Sequence, residues 1–266
     1  DNNFNQKGAI VKVIGCGLCG SDIVKIRHKS SFGNSTIGHE VVGEIVKIKS
    51  DTNFKVGDCV VVAHHVPCFK CIYCKHKNYS MCSNFKKSNI IPGGFSEYIF
   101  VSEMHLNNTV FLKPQNLSII EASFMEPLAC CIRAIKRANL MKNDNALVVG
   151  LGSIGFLMSQ ALTSYNIRAI GVDIIQDRIN KIGNLNIENM LFQNDNTTSE
   201  KIKQMTSGYG VDCVFMTSGS KSAINFAIKS VRDGGKIVVF SSISDNFLGY
   251  ANNEIYYREL TILGSY

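Results

Sequence analysis

Two sets of residues in this sequence have the types and spacing to hold a metal ion. Cys68, Cys71, Cys74 and Cys82 follow the pattern C-x2-C-x2-C-x7-C. Three thiolates in one tight loop and a fourth close behind can close a tetrahedron around Zn2+, and four cysteines leave no position for a substrate, so this lobe is predicted to be structural. An iron–sulfur cluster of the ferredoxin kind usually has proline after its last cysteine, and Ser83 stands there. The second set is dispersed: Cys19, His39, Glu40 and Glu126 offer sulfur, nitrogen and oxygen. Taken singly they read as a buried thiol, a core histidine and solvated carboxylates. Together they match a catalytic zinc, which takes about three protein ligands and keeps one position open for water or an alcohol oxygen, whose pKa it lowers to roughly 7. Cys16, Cys130 and Cys131 read as packing residues.

A third group could hold a nucleotide. Gly150-Leu151-Gly152-Ser153-Ile154-Gly155 follows the apolar run Ala146 to Val149 and opens a helical pattern, and Asp173 lies twenty-three residues after Gly150 at the end of the next apolar run. Glycines permit the turn and the close approach, amides at the helix start hold a pyrophosphate, and an acidic residue accepts from the adenosine ribose hydroxyls. An acid at that position disfavours a 2′-phosphate, so NAD is expected over NADP.

The elements that must position these residues divide the chain in two. Ala9 to Ile14, Val41 to Ile48, Cys59 to Ala63 and Phe95 to Val101 read as strands separated by turn residues, with Gly15 to Asp22 as a glycine-punctuated loop. Ser118 and Glu121 have the spacing of a capping box. Pro127 places Glu126 at a helix break, after which Leu128 to Asn139 resumes as helix. From Asn145 six short apolar runs are interspersed with four helical patterns, ending at Leu260 to Leu263, which predicts a doubly wound parallel sheet of six strands with Gly183, Gly208 and Gly234-Gly235 closing helices. The fold class is therefore α/β with a mostly β first domain, residues 1–143, and a nucleotide-binding domain, residues 144–266.

Composition narrows the function classes. The 266 residues are 45% hydrophobic and 18% charged, with no apolar run of the ~20 residues a membrane span needs. The net charge of +7 comes from scattered lysines and arginines rather than one basic block, which speaks against nucleic acid. Four of the ten cysteines cluster within one lobe, a metal-binding usage that points to a reducing, cytoplasmic compartment. The start lacks an initiator Met and the layout of a signal peptide, and an incomplete N-terminus is expected.

These motifs, together with Gly17-Leu18-Cys19-Gly20-Ser21-Asp22, Gly38-His39-Glu40-x-x-Gly43, Val56-Gly57-Asp58, Gly93 to Tyr98, Glu126-Pro127-Leu128 and Glu259 to Ser265, resemble the zinc-dependent medium-chain dehydrogenases, and within them the polyol branch of sorbitol and galactitol-phosphate dehydrogenases. The resemblance implies a GroES-like catalytic domain, a Rossmann domain, two zinc ions and NAD, and oxidation of a secondary alcohol on a small-molecule polyol, with a homodimer or homotetramer as the assembly. It makes Cys19 and His39 ligands of the catalytic zinc, Glu40 a ligand or the holder of its water, and Glu126 the glutamate found in polyol dehydrogenases where classical alcohol dehydrogenases have cysteine. Ser21 would begin the proton relay, Asp22 would partner His39, and Arg178 would accompany Asp173. It further implies missing residues before Asp1 and after Tyr266, the latter returning to complete the catalytic domain, so that apolar surface is left uncovered. Substrate choice would rest on loop residues such as Arg27 to Asn34. Two alternatives stay open: an L-threonine 3-dehydrogenase, and a zinc-stabilised NAD-binding protein without turnover.

Overall fold

The computed structural model describes residues 6–27, 37–183, 187–241 and 252–266. The chain divides into two compact units, Asp1–Pro127 and Leu128–Tyr266. The first is built on a five-stranded antiparallel sheet of β1 (Gly8–Gly17), β2 (Glu40–Lys49), β3 (Cys59–Ala63), β4 (Tyr98–Ser102) and β5 (Val110–Leu112), in the order β4-β1-β2-β3-β5. Alternation along the strands sends Val11, Val41, Ile45, Val60, Val62, Ile99 and Val101 into one core. On the other face Val42 and Val61 bury against Ala122 of the helix Ile119–Ser123, and each such aliphatic side chain contributes about 1.5–3 kcal/mol when taken from water. That helix starts at the expected capping box: Ser118 Oγ accepts from Glu121 N at 3.1 Å and Glu121 Oε2 accepts from Ser118 N at 2.8 Å.

Several local expectations are corrected. β1 runs on through Gly15, Cys16 and Gly17, which pair with Val42, Val41 and Glu40, and Gly20–Arg27 is helical, so only Leu18 and Cys19 remain as a connection. β4 begins at Tyr98 because the Ser96 hydroxyl, bonded to Gly93 O and Tyr98 O, holds a turn there. The helix break falls at Phe124, and Glu126 is already the second residue of the helix Met125–Ala138. Pro127 is tolerated because a first-turn N–H has no intrahelical partner to lose.

The second unit is a six-stranded parallel sheet of β6 (Asn145–Val149), β7 (Arg168–Asp173), β8 (Glu188–Leu191), β9 (Val211–Met216), β10 (Val231–Val239) and β11 (Thr261–Gly264), in the order β11-β10-β9-β6-β7-β8. Helices cover both faces. One core joins Val148 and Phe215 to Met158 and Leu162 of the helix Ser153–Ser164 and to Cys131, Ala134, Ile135 and Ala138 of Met125–Ala138. The other joins Leu147 and Val214 to Ile202 of the helix Asp195–Met205 and Phe226 of Lys221–Ser230. Strand order turns back between β6 and β9, the point in such sheets where ligands bind. Gly234 and Gly235 close no helix: they lie inside β10, where its pairing with β9 jumps from Val231 to Lys236 and Gly234 takes a φ of +67°. No helix among the described residues is long and apolar enough to cross a membrane.

Candidate active site

Within the first unit, ligand atoms of Cys19, His39 and Glu40 lie within 4.8 Å of one another. The chain brings them together by register: Gly17 pairs with Glu40, so the end of β1 and the start of β2 set Cys19 beside the His39-Glu40 pair. Gly38, at φ +80°, makes the turn into β2, and a side chain at Gly17 would overlap the Glu40 carboxylate. Asp22 fixes the arrangement from below. It is 0% exposed, its Oδ1 accepts from Gly38 N at 3.1 Å and lies 3.4 Å from His39 Nδ1, and its Oδ2 accepts from Cys19 N at 3.2 Å. One carboxylate thus ties the amides of Gly38 and Cys19 and occupies one ring nitrogen of His39, leaving the other nitrogen for a metal ion.

The electrostatics suit a cation. Burial pulls the His39 imidazole down, but Cys19, Glu126 and Asp22 outweigh it and raise its pKa to about 9. The hydrogen bond to His39 holds the Cys19 thiol below its usual range, helped by the Ser21 hydroxyl and opposed by burial. Glu40 is pushed up by burial and by the charges of Glu126 and Asp22. Glu126 acts on both His39 and Glu40 through its charge. A soft thiolate, an imidazole and a carboxylate gathered in this way are the donor set of catalytic zinc.

Cys68, Cys71, Cys74 and Cys82 also gather their sulfurs within 4.8 Å of one another. Cys68 to Cys74 is 4.0 Å and Cys71 to Cys74 is 3.6 Å, bracketing the edge of about 3.8 Å that a tetrahedron with Zn–S of about 2.3 Å requires. Burial and the neighbouring thiols push Cys74 to about 12, whereas the amides of Cys68 and Phe85 pull Cys82 down to about 6. Two of the sulfur–sulfur edges thus match a zinc tetrahedron, and all four sulfurs lie close enough to share one ion.

In the second unit, Gly150 has φ +97° and its N–H donates to Val172 O at 2.8 Å, while a side chain at Gly155 would overlap Gly150 O. Gly152 precedes the helix Ser153–Ser164 and caps it with no side chain, which leaves the amides of Ser153, Ile154 and Gly155 facing outward from the helix start. Asp173 is 4% exposed. Its Oδ2 accepts from Leu151 N at 2.6 Å and from Arg178 Nη1 at 3.1 Å, and its Oδ1 accepts from Ile175 N at 2.9 Å. Burial opposes and these donors favour its charge, which ends below the usual carboxylate range. Three of about four acceptor positions are used, so one remains for a ribose hydroxyl.

Three histidines escaped sequence reasoning. His64 and His65 follow β3, and His64 stacks on His39 with ring centroids 4.7 Å apart. His105 Nε2 sits 3.0 Å from His64 O. No local spacing announces them, since each makes a contact with a residue 20 or more positions away. Of the proposed substrate loop only Arg27 is described; 28–34 lie outside the described residues.

Comparison with known proteins agrees with this geometry. Residues 5–110 match the family described as the alcohol dehydrogenase GroES-like domain, and residues 153–266 match the zinc-binding dehydrogenase family. Sorbitol dehydrogenase of Bacillus subtilis is 31% identical over 257 residues, covering 92% of this chain and 70% of that protein. L-threonine 3-dehydrogenase of Caldanaerobacter subterraneus is 28% identical over 269 residues, covering 96% and 74%. Among solved structures, 2R,3R-butanediol dehydrogenase from Bacillus subtilis superposes with a TM-score of 0.84 at 26% identity, covering all of this chain and 79% of that one. With a GroES-like sheet, a Rossmann sheet and two zinc-ready centres joined to these similarities, the chain belongs to the zinc-dependent medium-chain alcohol dehydrogenases, in the branch that includes the polyol dehydrogenases.

Proposed function

We propose that this protein oxidises a secondary alcohol of a polyol or sugar alcohol to the ketone with NAD, residues 1–143 serving as catalytic domain and 144–266 as nucleotide domain. The observation that carries the reading is the convergence of Cys19, His39 and Glu40 on one point above the buried Asp22. Zinc bound there supplies Lewis acidity toward the alcohol oxygen, and the nicotinamide supplies the hydride acceptor. The chain's own residues do the rest. Asp22 holds the His39 ring and its tautomer, Glu40 stands in the close set as the oxygen donor, and Glu126 adds negative charge beside it. Ser21, exposed and hydrogen-bonded to Cys19, takes the alcohol proton toward solvent. Gly150, Gly152, Ser153, Ile154 and Gly155 cradle the pyrophosphate, and Asp173 with Arg178 binds the adenosine ribose. A cytoplasmic setting and a homodimer or homotetramer belong to the same proposal.

Similarity to an L-threonine 3-dehydrogenase carries a second reading, oxidation of L-threonine at the same site. Following NAD reduction with polyols, polyol phosphates and L-threonine separates the two: turnover of polyols is expected, and a response to L-threonine alone rejects the first reading. Metal analysis tests the site itself. Two zinc per chain are expected, falling to one in His39→Ala, and a single zinc confined to the cysteine lobe would overturn the assignment.

A further inference from the structure

The ring of His39 has a second neighbour besides Asp22. His64 packs on it at 4.7 Å and 45°, His65 packs on His64 at 3.8 Å and 42°, and Phe85 packs on His65 at 4.8 Å and 47°. Phe85 belongs to the helix Ser83–Lys87, which begins at Cys82, the last cysteine of the lobe. The stack is clamped along its length. His65 Nδ1 meets Ser88 O, the Ser88 hydroxyl accepts from Val66 N at 2.9 Å, and His105 Nε2 sits 3.0 Å from His64 O. His64 Nδ1 is buried without a hydrogen-bond partner among the described residues, so its ring is held by packing.

We propose that His64 is a positioning residue for the metal centre: seated through His65 on Phe85 of the helix that leaves the cysteine lobe at Cys82, its ring sets the orientation of the His39 imidazole. This rests on the reading of Cys19, His39 and Glu40 as a metal site. Asp22 alone fixes one ring nitrogen, which leaves rotation about that contact open, and a packed ring face removes it. The lobe then has a task beyond its own stability, because it supplies the floor of the stack.

Groups that orient a metal ligand are worth about 10- to 100-fold in metal affinity. The test is titration of the metal-free full chain with Co2+, read by thiolate-to-cobalt absorption and the ligand-field band, with His39→Ala isolating the lobe's share. His64→Ala and Phe85→Ala are expected to weaken the Cys19–His39–Glu40 centre about ten-fold and to shift its band with the lobe signal intact, and His64→Phe, which keeps a ring, is expected to restore both. Unchanged affinity and band in His64→Ala overturn the proposal, as does failure of His64→Phe to restore them. Should an alanine variant lose the lobe signal, Phe85→Leu replaces it, since bulk is kept and the ring removed; unchanged affinity and band there count against the proposal equally. A His39→Ala protein that binds as much cobalt as the wild type instead overturns the metal-site reading, a result distinct from either.

Discussion

At the residue scale Asp22 does the most with the least surface. Its two oxygens satisfy the amides of Gly38 and Cys19 and face His39 Nδ1. In Asp22→Asn one oxygen becomes an NH2 group that must point at an N–H it used to accept. Leaving such a buried donor unpaired costs about 1–3 kcal/mol, and loss of the carboxylate from His39 is expected to weaken zinc at the Cys19 centre about 10- to 100-fold, measured by competition with a chelating dye. Gly17→Ala is expected to push the Glu40 carboxylate aside and so weaken metal binding at that centre while sparing the cysteine lobe, because its methyl group would occupy the space of that carboxylate; metal counting by mass spectrometry checks it. Cys19, His39 and Glu40 were legible in sequence because donor types in order along the chain suggest a metal. His64, His65 and His105 were not, since stacking between Phe85 and His39 is a property of the fold.

At the scale of elements, the turn between β6 and the helix Ser153–Ser164 depends on Asp173 as much as on its glycines. Asp173 Oδ2 caps Leu151 N inside that turn and Oδ1 caps Ile175 N in the next. Asp173→Ala is expected both to lower NAD affinity and to destabilise the metal-free protein by about 1–3 kcal/mol per orphaned amide, seen by NAD titration and by urea unfolding. The elements themselves were largely readable: β9 falls on Val211–Met216 as expected, and the helix Ser153–Ser164 ends one residue early. β5 was missed. It has three residues, and Phe111 and Leu112 are 52% and 59% exposed, so no alternation marks it. The break placed at Glu126 was misjudged because proline restrains the residue before it without excluding a first helical turn.

At the scale of the whole molecule, several histidines are held neutral. Burial pushes His64 down to about 2 and lowers His65 and His105 as well. A histidine whose folded pKa lies below its unfolded value of about 6.5 lends stability that is present above that pH and is lost as the unfolded chain takes up protons below it. In metal-free His39→Ala protein, which lacks the imidazole whose raised pKa acts in the opposite sense, urea midpoints are therefore expected to fall from pH 6.5 to 5.5, with His64 alone contributing up to about 1.4 kcal/mol per pH unit. Adding His64→Phe is expected to remove that share of the slope, and a flat profile with His64 in place would contradict the buried, neutral assignment. The cysteine lobe has a consequence in time rather than in strength. Its hydrogen bonds, such as Lys75 N to Cys71 O and Lys77 N to Cys74 O, join residues three or four apart, whereas β1 must find β4 more than ninety residues on, Gly8 opposite Ser102. Short loops close sooner than long ones. With zinc present, pulse-labelled hydrogen exchange during refolding is expected to protect the amides of Lys75 and Lys77 before those of β1, so that the lobe is already shaped when the sheet around it is still open.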